Sequence, residues 1–172
     1  MGENYEMFPK KHRESIFSAI SAGFFFLLVG AIFVIRPTLF QGVINFFQGF
    51  DLVTVPHTTG FTVWAPVFPR LHLIVYRAFE EFAFVFGVFQ LVILALRFIA
   101  GSPWAKKAET ASNFVFWVGA GYLALTILIQ TTRFPAALTA WFVFWAAIAM
   151  LLGLSLIIRA VILAAAYTRR TM

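Results

Sequence analysis

The chain has 172 residues, 62% of them hydrophobic and only 12% charged, with a mean hydropathy of +0.90. A soluble domain averages about 45–50% apolar and about 25% charged residues. This excludes an ordinary soluble domain and a disordered chain, and the absence of cysteine excludes a disulfide-stapled secreted module. What remains is an all-α, polytopic membrane protein.

In chain order, residues 16–35 form a charge-free run of twenty, flanked by Lys10, Lys11 and Arg13 on one side and Arg36-Pro37 on the other. A helix needs about 20 apolar residues to cross the hydrocarbon core, so this is the first span. It exceeds the 7–15 residues usual for a signal-peptide core and no A-x-A-like site follows, so it reads as a signal anchor. Met1-Gly2 opens like a myristoylation signal, but Glu6 stands where Ser or Thr is required.

Residues 37–70 form the longest connection, an outer cap loop. Within 38–50, Leu39, Val43, Phe46, Phe47 and Phe50 recur at helical spacing, with Gln41, Asn45 and Gln48 on the other side. That segment is too short to span; it is expected to lie in the interface or to dip in as a re-entrant piece. Pro56, Pro66 and Pro69 then exclude a continuous helix and predict an ordered cap or short hairpin.

The second span is expected over 71–100. Its charge-free stretch, 82–96, is only fifteen residues, about 22 Å of helix. It must therefore carry Arg77, Glu80, Glu81 and Arg97 toward the membrane. Gly101-Ser102-Pro103 ends it, and 101–112 reads as a cytoplasmic loop. Residues 113–132 form a third span, closed by Arg133 and Pro135, and 137–158 a fourth. Arg159 would snorkel to the headgroups, with 160–167 continuing as helix to Arg169-Arg170.

With the N-terminus inside, the inner side carries Lys10, Lys11, Arg13, Arg97, Lys106, Lys107, Arg159, Arg169 and Arg170, nine cations. The outer side carries Arg36, Arg70, Arg77 and Arg133, four. Nine against four predicts a multi-pass cell-membrane protein with both termini cytoplasmic. The net charge of +6 reflects topology and anionic lipid, not nucleic acid.

Gly23 precedes Pro37 by 14 residues, as Gly121 precedes Pro135, and each helix so framed is followed by one with a central glycine, Gly87 or Gly153. This predicts four spans arranged as two hairpins. The segment Gly23-Phe24-Phe25-Phe26-Leu27-Leu28-Val29-Gly30, with Gly153-Leu154-Ser155-Leu156-Ile157-Ile158-Arg159 closing the last span, resembles the hairpin repeats of HdeD-type small membrane proteins. That resemblance implies a role linked to acid resistance and no catalytic residue; the family usually has six spans. The chain also resembles a small archaeal membrane family, which implies no known activity.

Ionisable groups inside a membrane are costly and thus functional candidates. Arg77, Glu80 and Glu81 share one helix face by their spacing of three and four. They form either a structural clamp, with Arg36 and Arg133 as further partners, or a site that handles protons or cations. His72, Gln90 and Arg97 fall on one meridian of the same helix but at different depths, so they are not expected to converge on one ligand. Gln90 is expected to bond a neighbouring helix. His57, His72 and Asp51 supply too few ligands for a metal, and no metal or cofactor is expected. The Phe-rich stretches read as packing or lipid-facing surfaces. Ser18-x3-Ala22, Ala19-x3-Gly23 and Ala149-x3-Gly153 are expected helix-packing pairs.

No nucleotide-binding or hydrolase motif is present. The expected function is that of a non-enzymatic structural, stress-tolerance or complex-accessory protein. Its partners would be membrane lipids and a homo-oligomer or larger membrane complex. The alternatives are an oligomeric ion or proton channel or small transporter using Arg77, Glu80 and Glu81, and a lipid-processing enzyme at the outer interface.

Overall fold

A computed structural model describes residues 10–130 and 137–171. It is an all-α architecture, with α1 (Lys10–Ile35), a short α2 (Leu39–Gln48), α3 (Leu73–Ile99), α4 (Trp104–Leu123) and α5 (Ala137–Thr171). Four of its helices are long and apolar enough to cross a membrane: Glu14–Ile35, Pro69–Ile99, Trp104–Gln130 and Leu138–Thr168.

The connection between α1 and α3 is a built cap. Strands β1 (Phe50–Thr54) and β2 (Thr62–Pro66) form an antiparallel hairpin in which Phe50 faces Pro66 and Thr54 faces Thr62. His57 (φ 63°) and Gly60 (φ 79°) in the connecting loop supply the left-handed backbone that reverses the chain. The Val67 amide donates to the Gly49 carbonyl at 3.0 Å, closing the cap onto α2. A 3-10 turn, Pro69–His72, then leads into α3, with proline at a position that needs no amide donor.

At the opposite end, the expected loop 101–112 contracts to the four-residue connection 100–103. Gly101 (φ 66°) terminates α3: its amide donates to the Phe98 carbonyl and the Ser102 amide to the Arg97 carbonyl, a Schellman closure. Pro103 then caps α4, which starts at Trp104 rather than near Asn113. The charges that suggested a loop are accommodated on helix. Lys106 pairs with Glu109 at 2.8 Å, and buried Lys107 lies 4.6 Å from the Phe98 ring centroid and 4.9 Å from that of Trp104.

The α4 hydrogen-bond pattern widens into a π-helical segment over Ala124–Gln130, which no residue pattern announced. The end of the expected 113–132 span, and Arg133, lie outside the described residues. Helix α5 has 35 residues, about 52 Å at 1.5 Å per residue, and so outreaches a hydrocarbon core of about 30 Å.

The most extensive interhelical contact is α3 with α4, followed by α4 with α5, while α1 leans on α3. The packing centre therefore lies between the two expected hairpins rather than within each. Glycine explains the close approach of α3 and α4. A Cβ at Gly87 would stand 2.7 Å from Val118 Cγ2 and 3.1 Å from the Val118 backbone nitrogen; one at Gly121 would meet the Phe84 ring at 3.1 Å. Without a hydrophobic drive between helices in lipid, such approach supplies the dispersion contacts that hold them.

Aromatic rings join α1 to α3. Phe24 stacks on Phe89 with centroids 3.8 Å apart, and Phe25 meets Phe82 and Phe86 edge-on. One buried cluster (Leu28, Ile32, Leu39, Ala78, Phe82, Phe86) fills the seam of α1, α2 and α3. A second, around Tyr76, Leu128, Trp141 and Phe144, lies beneath the hairpin, whose Ala65 it buries completely.

The expected small-residue contacts are not made among the described residues. Ala19, Gly23, Ala149 and Gly153 face outward, and a Cβ at Gly23 or Gly153 would meet nothing within 4 Å. Ser18 and Ala22 border a crevice instead of a packed helix. Aromatic rings rather than small residues fill the seam between α1 and α3.

Candidate functional site

Among the described residues, two ion pairs tie α1 to α3, one at each end. At the cap end, Arg36 follows directly on α1 and reaches Glu81, two turns into α3. Its Nε donates to Glu81 Oε2 at 3.1 Å and its Nη2 to Oε1, a bidentate arrangement. Both side chains are part-exposed, Arg36 at 28% and Glu81 at 44%. The Arg77, Glu80, Glu81 cluster is therefore not a unit. Arg77 is exposed, and among the described residues neither Arg77 nor Glu80 has an ion-pair partner. Arg77 leaves the bundle surface because its neighbour Tyr76 takes the inward heptad seam of Tyr76, Ala83, Gln90 and Arg97.

Arg97 is the more unusual charge. The Schellman turn folds α4 back beside the last turn of α3, which brings Arg97 against Lys106 and Thr110. Arg97 Nη1 donates to the Lys106 carbonyl and to Thr110 Oγ1, both at 2.6 Å, and the Thr110 hydroxyl donates to the same carbonyl at 2.9 Å. Its Nη2 lies 3.7 Å from Glu14 Oε2 on α1, and the guanidinium carbon is 6.0 Å from the Phe17 ring centroid. The Arg97 side chain is only 6% exposed. Even so, Arg97 Nε and Glu14 Oε2 are buried with no hydrogen-bond partner, an arrangement that costs free energy unless something else satisfies them.

Arg97 also lines a crevice of about 350 Å³ between α1, α3 and α4. Its α1 wall presents Ser18, Ser21 and Ala22, its α3 wall Gln90 and Ile93, and its α4 wall Glu109, Thr110 and Asn113. Gln90 and Arg97, expected to act apart because of their different depths, share this one space. Seven residues of helix separate them by about 10 Å, which the crevice spans. Phe25, Phe26 and Phe86 complete its lining.

A second cavity, about 300 Å³ and wholly aromatic or aliphatic apart from Tyr76, lies between α3, α4 and α5. The Tyr76 hydroxyl is buried without a partner. His72 is buried in the 3-10 turn, edge-on to Phe46 with ring centroids 5.1 Å apart, while His57 and Asp51 are exposed on the hairpin. Among the described residues no three His, Cys, Asp or Glu gather as a metal would require.

The polar crevice was visible in the sequence only in fragments. Gln90 and Arg97 stand out on α3, but the signal that would have joined them is the pair of polar residues three apart on each neighbouring helix, Ser18 and Ser21 on α1 and Thr110 and Asn113 on α4. No family model matches the chain, and neither does any curated protein or solved structure.

Proposed function

We propose that this chain is a non-enzymatic integral membrane protein that works as a structural or complex-accessory component, held in the cell membrane with both termini cytoplasmic. The observation that carries the reading is the outward face of α1. Ala19, Gly23 and Gly30 form a smooth stripe that covers no helix of this chain, and Ala149 and Gly153 form a matching one on α5. Small residues at such spacing allow close approach of a further helix. The orientation rests on the nine-to-four cation asymmetry. A stress-tolerance role is suggested by the HdeD-type resemblance alone.

A channel reading has less support, because, of the cluster it rests on, Glu81 pairs with Arg36 and Arg77 is exposed. Extraction from native membranes directly into lipid nanodiscs, followed by mass measurement, tests the proposal. A discrete assembly larger than one chain is expected, and Gly23→Phe or Gly153→Phe should break it. A monomer at native abundance, indifferent to both substitutions, would overturn the reading.

A further inference from the structure

We propose that the crevice around Gln90 holds a chain of ordered water molecules, an inlet that carries water from the headgroup layer beside the Gly101 turn into the bundle interior. The observation behind it is a set of polar groups with nothing in the protein to bond. Gln90 is only 5% exposed, yet it makes no hydrogen bond among the described residues. Its amide is not sealed off either. The buried, unpartnered side-chain atoms among the described residues are Glu14 Oε2, the Tyr76 hydroxyl and Arg97 Nε, so the Gln90 amide faces the crevice it lines. Ser18, Ser21 and Asn113, on the α1 and α4 walls, likewise make no hydrogen bond among the described residues. By contrast, the hydroxyls of Thr126, Ser155 and Thr168 turn back onto carbonyls of the preceding helical turn.

The spacing suits water. Ser18 and Ser21 stand three residues apart on α1, as do Thr110 and Asn113 on α4, which separates each pair by about 4.5 Å along its axis. Two consecutive hydrogen bonds of about 2.8 Å reach about 5.6 Å, so one water bridges each step. Two such steps cover the roughly 10 Å between Arg97 and Gln90 on the α3 wall. The crevice, about 350 Å³, has room for roughly ten waters at about 30 Å³ each. Each water needs two to four polar partners, which these side chains and adjacent waters supply. Gln90 lies nine residues before the end of α3, about 13 Å in, and so beyond a headgroup layer of about 5–8 Å.

The charges select a neutral occupant. The ionised side chains on the walls are Arg97 and Glu109, and both already have partners. Glu109 is held by Lys106 at 2.8 Å, and Arg97 donates to the Lys106 carbonyl and to Thr110 Oγ1. Neither calls for an ion. Hydrocarbon cannot satisfy the free hydroxyls and amides, whose burial against it is costly. Water is neutral, fits the steps, and both donates and accepts. Access is along the seam of α1 and α4, which each pack on α3 but scarcely on each other, and whose crevice residues Ser18 and Asn113 are exposed. The hydrated path thus lies at the end of the bundle opposite the Arg36–Glu81 pair.

The chain has no cysteine, so a single introduced thiol reports the local solvent. Ser21→Cys puts a thiol on the crevice wall. Ile20→Cys puts one at nearly the same depth but off the crevice, at a position 45% exposed on the bundle surface. The probe is a membrane-impermeant quaternary-ammonium methanethiosulfonate, which reacts with the thiolate, a species that apolar surroundings suppress. With one full chain per lipid nanodisc, the Ser21→Cys thiol should react at least about a hundredfold faster than the Ile20→Cys thiol. Adding Ser18→Leu narrows the rim, and adding Gln90→Leu removes the buried amide. Each should slow the Ser21→Cys reaction about tenfold by drying the crevice and leave the Ile20→Cys rate unchanged, which separates loss of water from misfolding. Equal rates at positions 20 and 21, or a Ser21→Cys rate indifferent to both leucine substitutions, would overturn the proposal. So would a fast rate in nanodiscs with protection in native membranes, because a partner's helix then fills the crevice. Single chains suffice for the measurement, so the inlet and the accessory reading fail separately.

Discussion

Replacing Gly87 by alanine adds one methyl group at the tightest point between α3 and α4. The new Cβ would stand 2.7 Å from Val118 Cγ2 and 3.1 Å from the Val118 backbone nitrogen, and a β-branched side chain held on a helix has one strongly preferred rotamer into which to retreat. Overpacking of this kind costs about 1–3 kcal/mol, against a gain of about 0.5–1 kcal/mol from replacing glycine within a helix. Gly87→Ala should therefore destabilise by about 1 kcal/mol, whereas Gly23→Ala and Gly153→Ala, which meet nothing within 4 Å, should stabilise by up to about 1 kcal/mol. Adding Val118→Ala removes the obstructing methyl and should recover part of the Gly87→Ala loss, giving a measurable coupling. Unfolding in mixed micelles, followed by the fluorescence of neighbouring Trp117, reads these variants together with Val118→Ala alone. Equal stabilisation by alanine at positions 23, 87 and 153 would refute the packing of α3 on α4 described above.

Arg36→Gln and Glu81→Gln should each destabilise the bundle and combine less than additively, with a coupling of about 1 kcal/mol set by the bidentate geometry and reduced by partial exposure; a double-mutant cycle in the same unfolding assay measures it. Arg77→Gln and Glu80→Gln, without ion-pair partners among the described residues, should change stability by less than about 0.5 kcal/mol. Lys107→Met keeps the length of the side chain but removes the cation over Phe98 and Trp104, and should cost about 0.5–2 kcal/mol with a shift in Trp104 fluorescence.

The spans were legible because bilayer thickness is a strong constraint on composition: a charge-free run of twenty admits few other readings. Prolines 56, 66 and 69 likewise left an ordered cap or a short hairpin, and the segment folds as a hairpin. Where charge had to be interpreted, the sequence was ambiguous. Lys106, Lys107 and Glu109 read as a loop because their neutralisation depends on Phe98, Trp104 and one another being placed by the Gly101 turn.

The small-residue pairs show a deeper ambiguity. Gly87 and Gly153 are the equivalent central glycines of their helices, yet only the first is approached by another helix, because helix facing is decided by tertiary packing rather than by residue type. The Arg97 site was hidden for the same reason. Its polar members come from three helices, each carrying only one to three of them, and no single helix displays a motif. The π-helical turn over Ala124–Gln130 has no local signal at all, since its residues are ordinary helix and strand formers.

The central claim is a four-fold crossing with both tails on one side of the membrane. The chain contains no cysteine, so single substitutions such as Tyr5→Cys, His57→Cys and Thr171→Cys can be probed with a membrane-impermeant thiol reagent in intact cells and in inverted vesicles. Position 57 should be labelled from outside only, and positions 5 and 171 only after inversion. Labelling of the two tails from opposite faces would contradict it.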